Sequence, residues 1–242
     1  MIPLRDHDPP AVPLRRARRD NPSATVPFVS RALIALSAAV FLYQALLGPD
    51  LRAFVYGWGL VPVRLTLALR FHEEPVAAAG LTLLTSMFLH GGWSHLIGNM
   101  WYLWIFGDNV EDRLGHVRFL LFYLASGVVA GLLHFLTHSA SELPTVGASG
   151  AIAGVLGAYT VAFPRARVVT LIPLFPFFQI VALPAFLVLG LWFVLQFVLG
   201  LGALGGSTGG GIAWWAHIGG FAFGWLAMRL LGGSRRSQAW VR

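Results

Sequence analysis

The 242 residues are 57% apolar and only 11% charged, with a mean hydropathy of +0.71. A soluble domain runs about 45–50% apolar and about 25% charged, and one of this length lacks the interior to hide the excess. A soluble enzyme, a disordered chain and a disulfide scaffold are excluded, which leaves a polytopic helical membrane protein. All 17 basic residues are Arg, against 10 acids, for a net charge of +7. The arginines sit in tails and loops, where they orient a chain in a bilayer rather than bind nucleic acid. Cys is absent, which removes disulfides, thiolate metal sites and cysteine nucleophiles.

In chain order, residues 1–27 carry Arg5, Arg15, Arg16, Arg18 and Arg19 among several prolines. They read as a disordered cytoplasmic tail and not as a cleavable leader, which would place an apolar run directly after a short basic stretch. Pro27 to Leu47 is the first apolar run long enough to span. Residues 48–80 mix Arg52, Arg64, Arg70, Glu73 and Glu74 with Trp, Leu and Val, and are expected to form a structured or interfacial loop. A second span is expected over 93–106, then a polar turn from Gly107 to Gly115, then a third span over 117–136. The fourth runs from Ala148 to Pro164 and meets a short basic turn at Arg165 and Arg167. The apolar stretch 168–204 exceeds the roughly 20 residues one span needs. Pro173, Pro176 and Pro184 divide it, so 168–180 reads as interfacial or re-entrant and 182–202 as the fifth span. A Gly-rich loop covers 205–211, the sixth span 212–231, and residues 232–242 form a short basic cytoplasmic tail with Arg235, Arg236 and Arg242.

The expected fold class is therefore all-α, a single six-helix membrane domain over 28–231. The loops 138–147 and 203–211 hold no Arg, whereas the N-terminal tail, 113–118, 165–167 and the C-terminal tail do. The positive-inside rule then puts both termini in the cytoplasm, as in an inner (cell) membrane protein of a bacterium. Residues 165–167 and the C-terminal tail should share a side, so an even number of crossings lies between them and 168–180 should not cross.

Ionisable and polar groups inside spans are expensive and functional by default. Ser149, within Gly147-Ala148-Ser149-Gly150, opens span four. His217, within Ala216-His217-Ile218-Gly219-Gly220-Phe221-Ala222-Phe223-Gly224, lies early in span six. His95 and Asn99 lie early in span two, four residues apart and so on one helix face, with His90 just before them. With the N-terminus inside, spans two, four and six all begin at the outer face, so Ser149, His217, His95 and Asn99 share one depth. A serine hydroxyl needs a base to become a nucleophile, and histidine is the usual one. Ser149 at a helix N-terminus meets free backbone N–H groups that favour a developing anion, and His95 and Asn99 can donate to the same oxyanion. No Asp or Glu lies in spans four or six, which argues for a Ser–His dyad. Each feature alone has a plainer reading: close helix packing for Gly147-x-Ser149-Gly150 and for Gly220-x-x-x-Gly224, a packing or proton-relay role for His217, and interhelical hydrogen bonding for His95 and Asn99.

Taken together, Gly147-Ala148-Ser149-Gly150 and Ala216-His217-x-x-Gly220-x-x-x-Gly224 resemble the rhomboid intramembrane serine proteases. His90-x4-His95-x3-Asn99 is similar to the second-span motif of that family, and Glu111-Asp112-Arg113-Leu114-Gly115 to the turn that follows it. The resemblance covers about residues 28–231. It implies a six-span core, a Ser149–His217 dyad, and an oxyanion site from His95, Asn99 and the Ser149 backbone N–H, supported by His90, Gly147, Gly150, Gly220 and Gly224. It also implies cleavage of transmembrane protein substrates in the lipid bilayer without metal or cofactor. The loop 205–211 would cap the site and span five would be a side gate. Many members carry an aromatic residue four after the serine, stacked on the histidine; here that position is Ala153, which leaves Trp214, Trp215, Phe221 or no ring at all to orient His217. The Trp-Arg pair found in the first loop of some relatives is absent between 48 and 90. Two other readings stay open: a catalytically inactive relative that binds membrane clients, and a small transporter using His217 as a proton relay.

Overall fold

Proline and glycine decide where the apolar runs become helices. In the computed structural model, which describes residues 2–7, 25–174, 177–204 and 213–231, helix α1 (Phe28–Leu46) starts directly after Pro27 and stops ahead of Gly48, whose φ is +53°. Helix α2 (Leu51–Trp58) stops at Gly59. Helix α3 (Pro62–Phe71) takes a proline at its first position, where the missing N–H costs nothing, and closes on His72 in the left-handed region. Helix α4 (Val76–Thr85) follows Pro75. Helix α5 (Trp93–Leu114) follows Gly91-Gly92 and is separated from α6 (His116–Thr137) by Gly115 alone, at φ +79°. Helix α7 (Ser149–Ala162) ends two residues before Pro164, and α8 (Ala185–Leu204) and α9 (Trp214–Leu231) complete the bundle.

The stretch 48–80, expected to be structured without spanning, is built from α2, α3 and the start of α4. Arg64 holds it together, pairing with Glu74 at 2.7 Å and donating to the Tyr56 carbonyl at 2.6 Å. Leu60 exchanges two backbone hydrogen bonds with Thr145 (3.0 and 2.7 Å), which fastens this layer to the segment leading into α7.

Three expectations are corrected. The fold is mostly helical but not all-α: Ile2–His7 (β1), Arg167–Leu174 (β2) and Phe177–Pro184 (β3) form an antiparallel sheet in the order β1-β2-β3. The interfacial or re-entrant stretch 168–180 is thus most of a hairpin, in register from Arg167 opposite Pro184 to Leu174 opposite Phe177. Its Val, Ile, Thr and Phe content suits a pleated surface as well as a bilayer, and Val168 and Thr170 are buried while Arg167 is exposed, the alternation of a strand. Within the 1–27 tail, Ile2–His7 forms β1, paired with β2 from Ile2 opposite Leu171 to His7 opposite Arg167, and residues 8–24 lie outside the described residues. Finally, the polar turn expected from Gly107 to Gly115 is helical as far as Leu114.

That last correction has a cause. Glu111 is fully buried and receives the start of α1: its carboxylate accepts from the Val29 and Ser30 backbone N–H groups (2.9 and 2.8 Å) and from the Ser30 hydroxyl (2.7 Å). Asp112 accepts from the Thr25 N–H and hydroxyl. Pro27 offers α1 no side-chain cap, so the capping acids come from α5.

Among the described residues, two helices are long and apolar enough to cross a membrane, α1 and α6. The α4 segment, extended by a 3-10 turn to Phe88, and α5 meet at 82° and make a third when taken as one broken span. Helix α7 has 14 residues, about 21 Å at 1.5 Å per residue, and is buried from Gly150 through Tyr159. It is apolar but, at 14 residues, shorter than a full span, and it is enclosed by the helices around it.

The core lies where α7 meets α9, and glycine permits it. A Cβ on Gly220 would run into the Gly150 carbonyl, one on Gly224 into the Gly154 carbonyl, and one on Gly157 into the Phe221 carbonyl. The Gly220-x-x-x-Gly224 pattern is thus a packing face, and Gly150 admits Ala130 of α6 on its other side.

Candidate active site

The close α7–α9 contact fixes the first residues of both helices against each other. Ser149 is the first residue of α7 and His217 the fourth of α9. Their side chains meet: Ser149 Oγ lies 2.8 Å from His217 Nε2, so the hydroxyl can donate to the ring. His217 is buried and Ser149 is partly open to a cavity of about 540 Å³ that His95, Asn99, Gly147 and Trp192 also line. All four polar residues singled out in the sequence therefore reach one space, from the N-terminal turns of α5, α7 and α9.

The approach to Ser149 depends on Gly147. Its φ of +122° is closed to other residues, and its N–H donates to the Ser86 carbonyl at 2.9 Å. A Cβ there would lie 2.6 Å from His95 Nε2 and 3.5 Å from Asn99 Nδ2. His95 and Asn99 thus flank the backbone two residues ahead of Ser149. The first N–H groups of α7 have no intrahelical acceptor and add donors to the same corner. Asn99 Nδ2 is buried and has no hydrogen-bond partner.

Supporting contacts radiate from this corner. His90 is buried; its N–H donates to Gln44 Oε1 (3.0 Å), its carbonyl accepts from Gln44 Nε2 (3.3 Å), and its ring packs edge-on against His95 at 5.2 Å. His134 reaches Thr145 Oγ1 at 2.9 Å and stacks on His138. Among the described residues no three His, Asp or Glu side chains converge as metal ligands. The Gly-rich loop 205–211, expected to cap the site, lies outside the described residues.

Ala153 supplies no ring to His217. It is fully buried one turn after Ser149, on the side of α7 that faces Gly220 of α9. Rings flank His217 from elsewhere: Trp214 at 6.3 Å, one of the expected candidates, and Trp192 of α8 at 5.8 Å. Phe221 packs on Trp192 and Phe193, and Trp215 on Phe197, so these two support the wall behind the histidine.

One neighbour escapes the sequence reasoning. Gln196 of α8 is buried, with Oε1 2.6 Å from His217 Nδ1. Its signal was an amide alone in an apolar run: no other amide, hydroxyl or charged side chain lies between Ala185 and Leu204.

The Rhomboid domain family matches residues 78–234, about two thirds of the chain. The presenilin-associated rhomboid-like protein, mitochondrial, of Homo sapiens is 28% identical over 177 residues, 69% of this chain and 42% of the relative. The rhomboid protease GluP of Bacillus subtilis is 47% identical over 76 residues, 31% of this chain and 14% of GluP. RHOMBOID-like protein 5 of Arabidopsis thaliana is 42% identical over 76 residues, 31% of this chain and 25% of the relative. The chain thus spans less than half the length of these relatives.

Proposed function

The chain belongs to the rhomboid family, an integral membrane protein, and from that premise we propose that it is an intramembrane serine protease that hydrolyses peptide bonds of transmembrane proteins. The observation that carries the reading is the 2.8 Å contact between Ser149 Oγ and His217 Nε2 at a cavity. Nε2 takes the hydroxyl proton as Oγ attacks the scissile carbonyl carbon. The oxyanion that forms is held by the α7 N-terminal N–H groups with His95 and Asn99. The Nε2 proton passes to the leaving amine as the C–N bond breaks, leaving an acyl-enzyme on Ser149. A water then gives its proton to Nε2 and its oxygen to the acyl carbon, and Ser149 is restored.

The arrangement proposed in the membrane is six crossings with both termini in the cytoplasm and Ser149 near the opposite face. The pairing of β1 with β2 supports it, because this places the N-terminal strand beside the basic residues Arg165 and Arg167. The proposed location is a bacterial inner membrane.

The test is covalent labelling by a serine-directed mechanism-based inhibitor, beside cleavage of a model transmembrane substrate. Wild-type protein should label at Ser149 and cleave. Ser149→Ala should do neither. Because the pair acts as one unit, Ser149→Ala, His217→Ala and the double variant should lose similar amounts of activity. Retained cleavage by purified Ser149→Ala would sink the reading.

A further inference from the structure

An imidazole can serve as the base for Ser149 only through a nitrogen that carries no proton. Neutral histidine has two tautomers, and something must choose between them. At His217 the contacts are unequal. Nε2 faces the Ser149 hydroxyl at 2.8 Å, and Nδ1 faces Gln196 Oε1 at 2.6 Å. An amide oxygen only accepts, so it favours the ring form in which Nδ1–H donates to it. That form leaves the Nε2 lone pair free for the Ser149 proton.

From this geometry we infer that Gln196 is a positioning residue for the proposed protease, fixing His217 as the Nδ1–H tautomer and so making Nε2 the base for Ser149. The inference rests on the protease reading for its catalytic consequence, but the tautomer it assigns can be observed without any cleavage.

The surroundings agree. Gln196 is buried on a helix whose neighbouring residues Val194, Leu195 and Phe197 are exposed, so its side chain turns inward against the tendency of α8. A primary amide in an apolar span is costly unless it finds a partner, and one with a matched partner can be kept for a purpose. Trp192, one turn earlier on α8, lies 5.8 Å from the same ring, so α8 supplies His217 with both a hydrogen-bond acceptor and a packing wall. A neutral acceptor also differs from the carboxylate of a Ser–His–Asp triad: it orients the ring without stabilising an imidazolium by opposite charge.

The test compares full-length wild-type protein with Gln196→Leu and Gln196→Glu. Leu keeps an apolar side chain of similar volume but accepts no hydrogen bond. Glu keeps an acceptor oxygen at the same reach in either protonation state. A partner that imposes the wrong tautomer costs such enzymes about 10⁴ in kcat. An apolar partner leaves both tautomers open, so Gln196→Leu should lose less, about 10–100-fold in kcat, with KM unchanged and Ser149 labelling slowed by the same factor. Gln196→Glu should recover most of that loss. The direct reading is the ¹⁵N spectrum of histidine-labelled protein, with His217 assigned by its loss in His217→Ala. It should show the Nδ1–H form in wild type and Gln196→Glu, and a mixture in Gln196→Leu. A Gln196→Leu protein with wild-type kcat, or with reduced kcat but an unchanged His217 spectrum and lower thermal stability, overturns the proposal. If wild type fails to cleave or label while the spectra differ as expected, the tautomer assignment stands and the protease reading falls.

Discussion

Asn99 brings a buried amide nitrogen with no protein partner to the corner occupied by Gly147 and Ser149. An unmade buried donor costs about 1–3 kcal/mol, and that cost is useful where negative charge develops only in a transition state. Function and stability should therefore move in opposite directions here. Asn99→Leu should raise the thermal unfolding midpoint of the purified protein while lowering kcat, whereas a structural amide would lower both. Removing one oxyanion donor typically costs about 10²–10³ in rate. With two donors sharing the load, Asn99→Ala should lose less than that, and His95→Ala/Asn99→Ala should reach it with KM little changed. Unchanged turnover in the double variant would remove both from the site. These residues, like Ser149 and His217, were legible because a polar side chain in an apolar helix is conspicuous and because family motifs frame it. Gln196 was equally conspicuous by composition. No motif frames it, so only the packing of α8 against α9 reveals what its oxygen meets.

Between elements, the α7–α9 seam sets the distance on which the Ser149–His217 contact depends. Gly224 sits against the Gly154 backbone, so Gly224→Ala must push the helices apart. Overpacking of this kind costs about 1–3 kcal/mol, and a displacement near 1 Å at a reacting pair can cost about 10² in rate. Both losses are expected for Gly224→Ala in thermal denaturation and turnover. Gly80→Ala, in α4 with nothing near its Cβ position, should leave both unchanged or slightly improve stability. A second interelement joint is the Glu111 carboxylate under the start of α1. Glu111→Ala strands two backbone donors and a hydroxyl, and should destabilise by about 2–4 kcal/mol; a loss under about 0.5 kcal/mol would show that water replaces the carboxylate. Several helix limits were legible, because Pro27, Gly115 and Pro164 punctuate the chain, whereas α2, α3 and α4 lie largely in the stretch read as an interfacial loop. The sheet was not. Over 167–184 a strand in a hairpin and a stretch in a membrane interface draw on the same Val, Ile, Leu and Phe, and β1 depends on a partner more than 150 residues away in sequence, which no local pattern announces.

At the scale of the whole molecule, α7 separates two ends of different character. At its N-terminus stand Ser149, His217 and the cavity; at its C-terminus the chain passes Pro164 and Arg165 into the sheet that gathers β1. The helix between is about 21 Å long, short of the roughly 30 Å hydrocarbon thickness, so the cavity end lies within the bilayer slab if the sheet stays at the opposite aqueous face. In the proposed topology the cavity end then faces one aqueous side and Arg165 and Arg167 the other, in line with the charge asymmetry of the loops. The absence of native Cys allows a direct check with single cysteines at two exposed positions, Ala140→Cys in the loop before α7 and Arg165→Cys at the turn after it. An impermeant maleimide added to intact cells should label Ala140→Cys, and should label Arg165→Cys only after permeabilisation. Both variants lie outside the Ser149–His217 contact and should retain turnover, which certifies that the labelled protein is folded. Labelling of both positions from one side would mean that α7 enters and leaves the membrane by the same face, and the cavity would then open toward the side that carries Arg165 and the sheet.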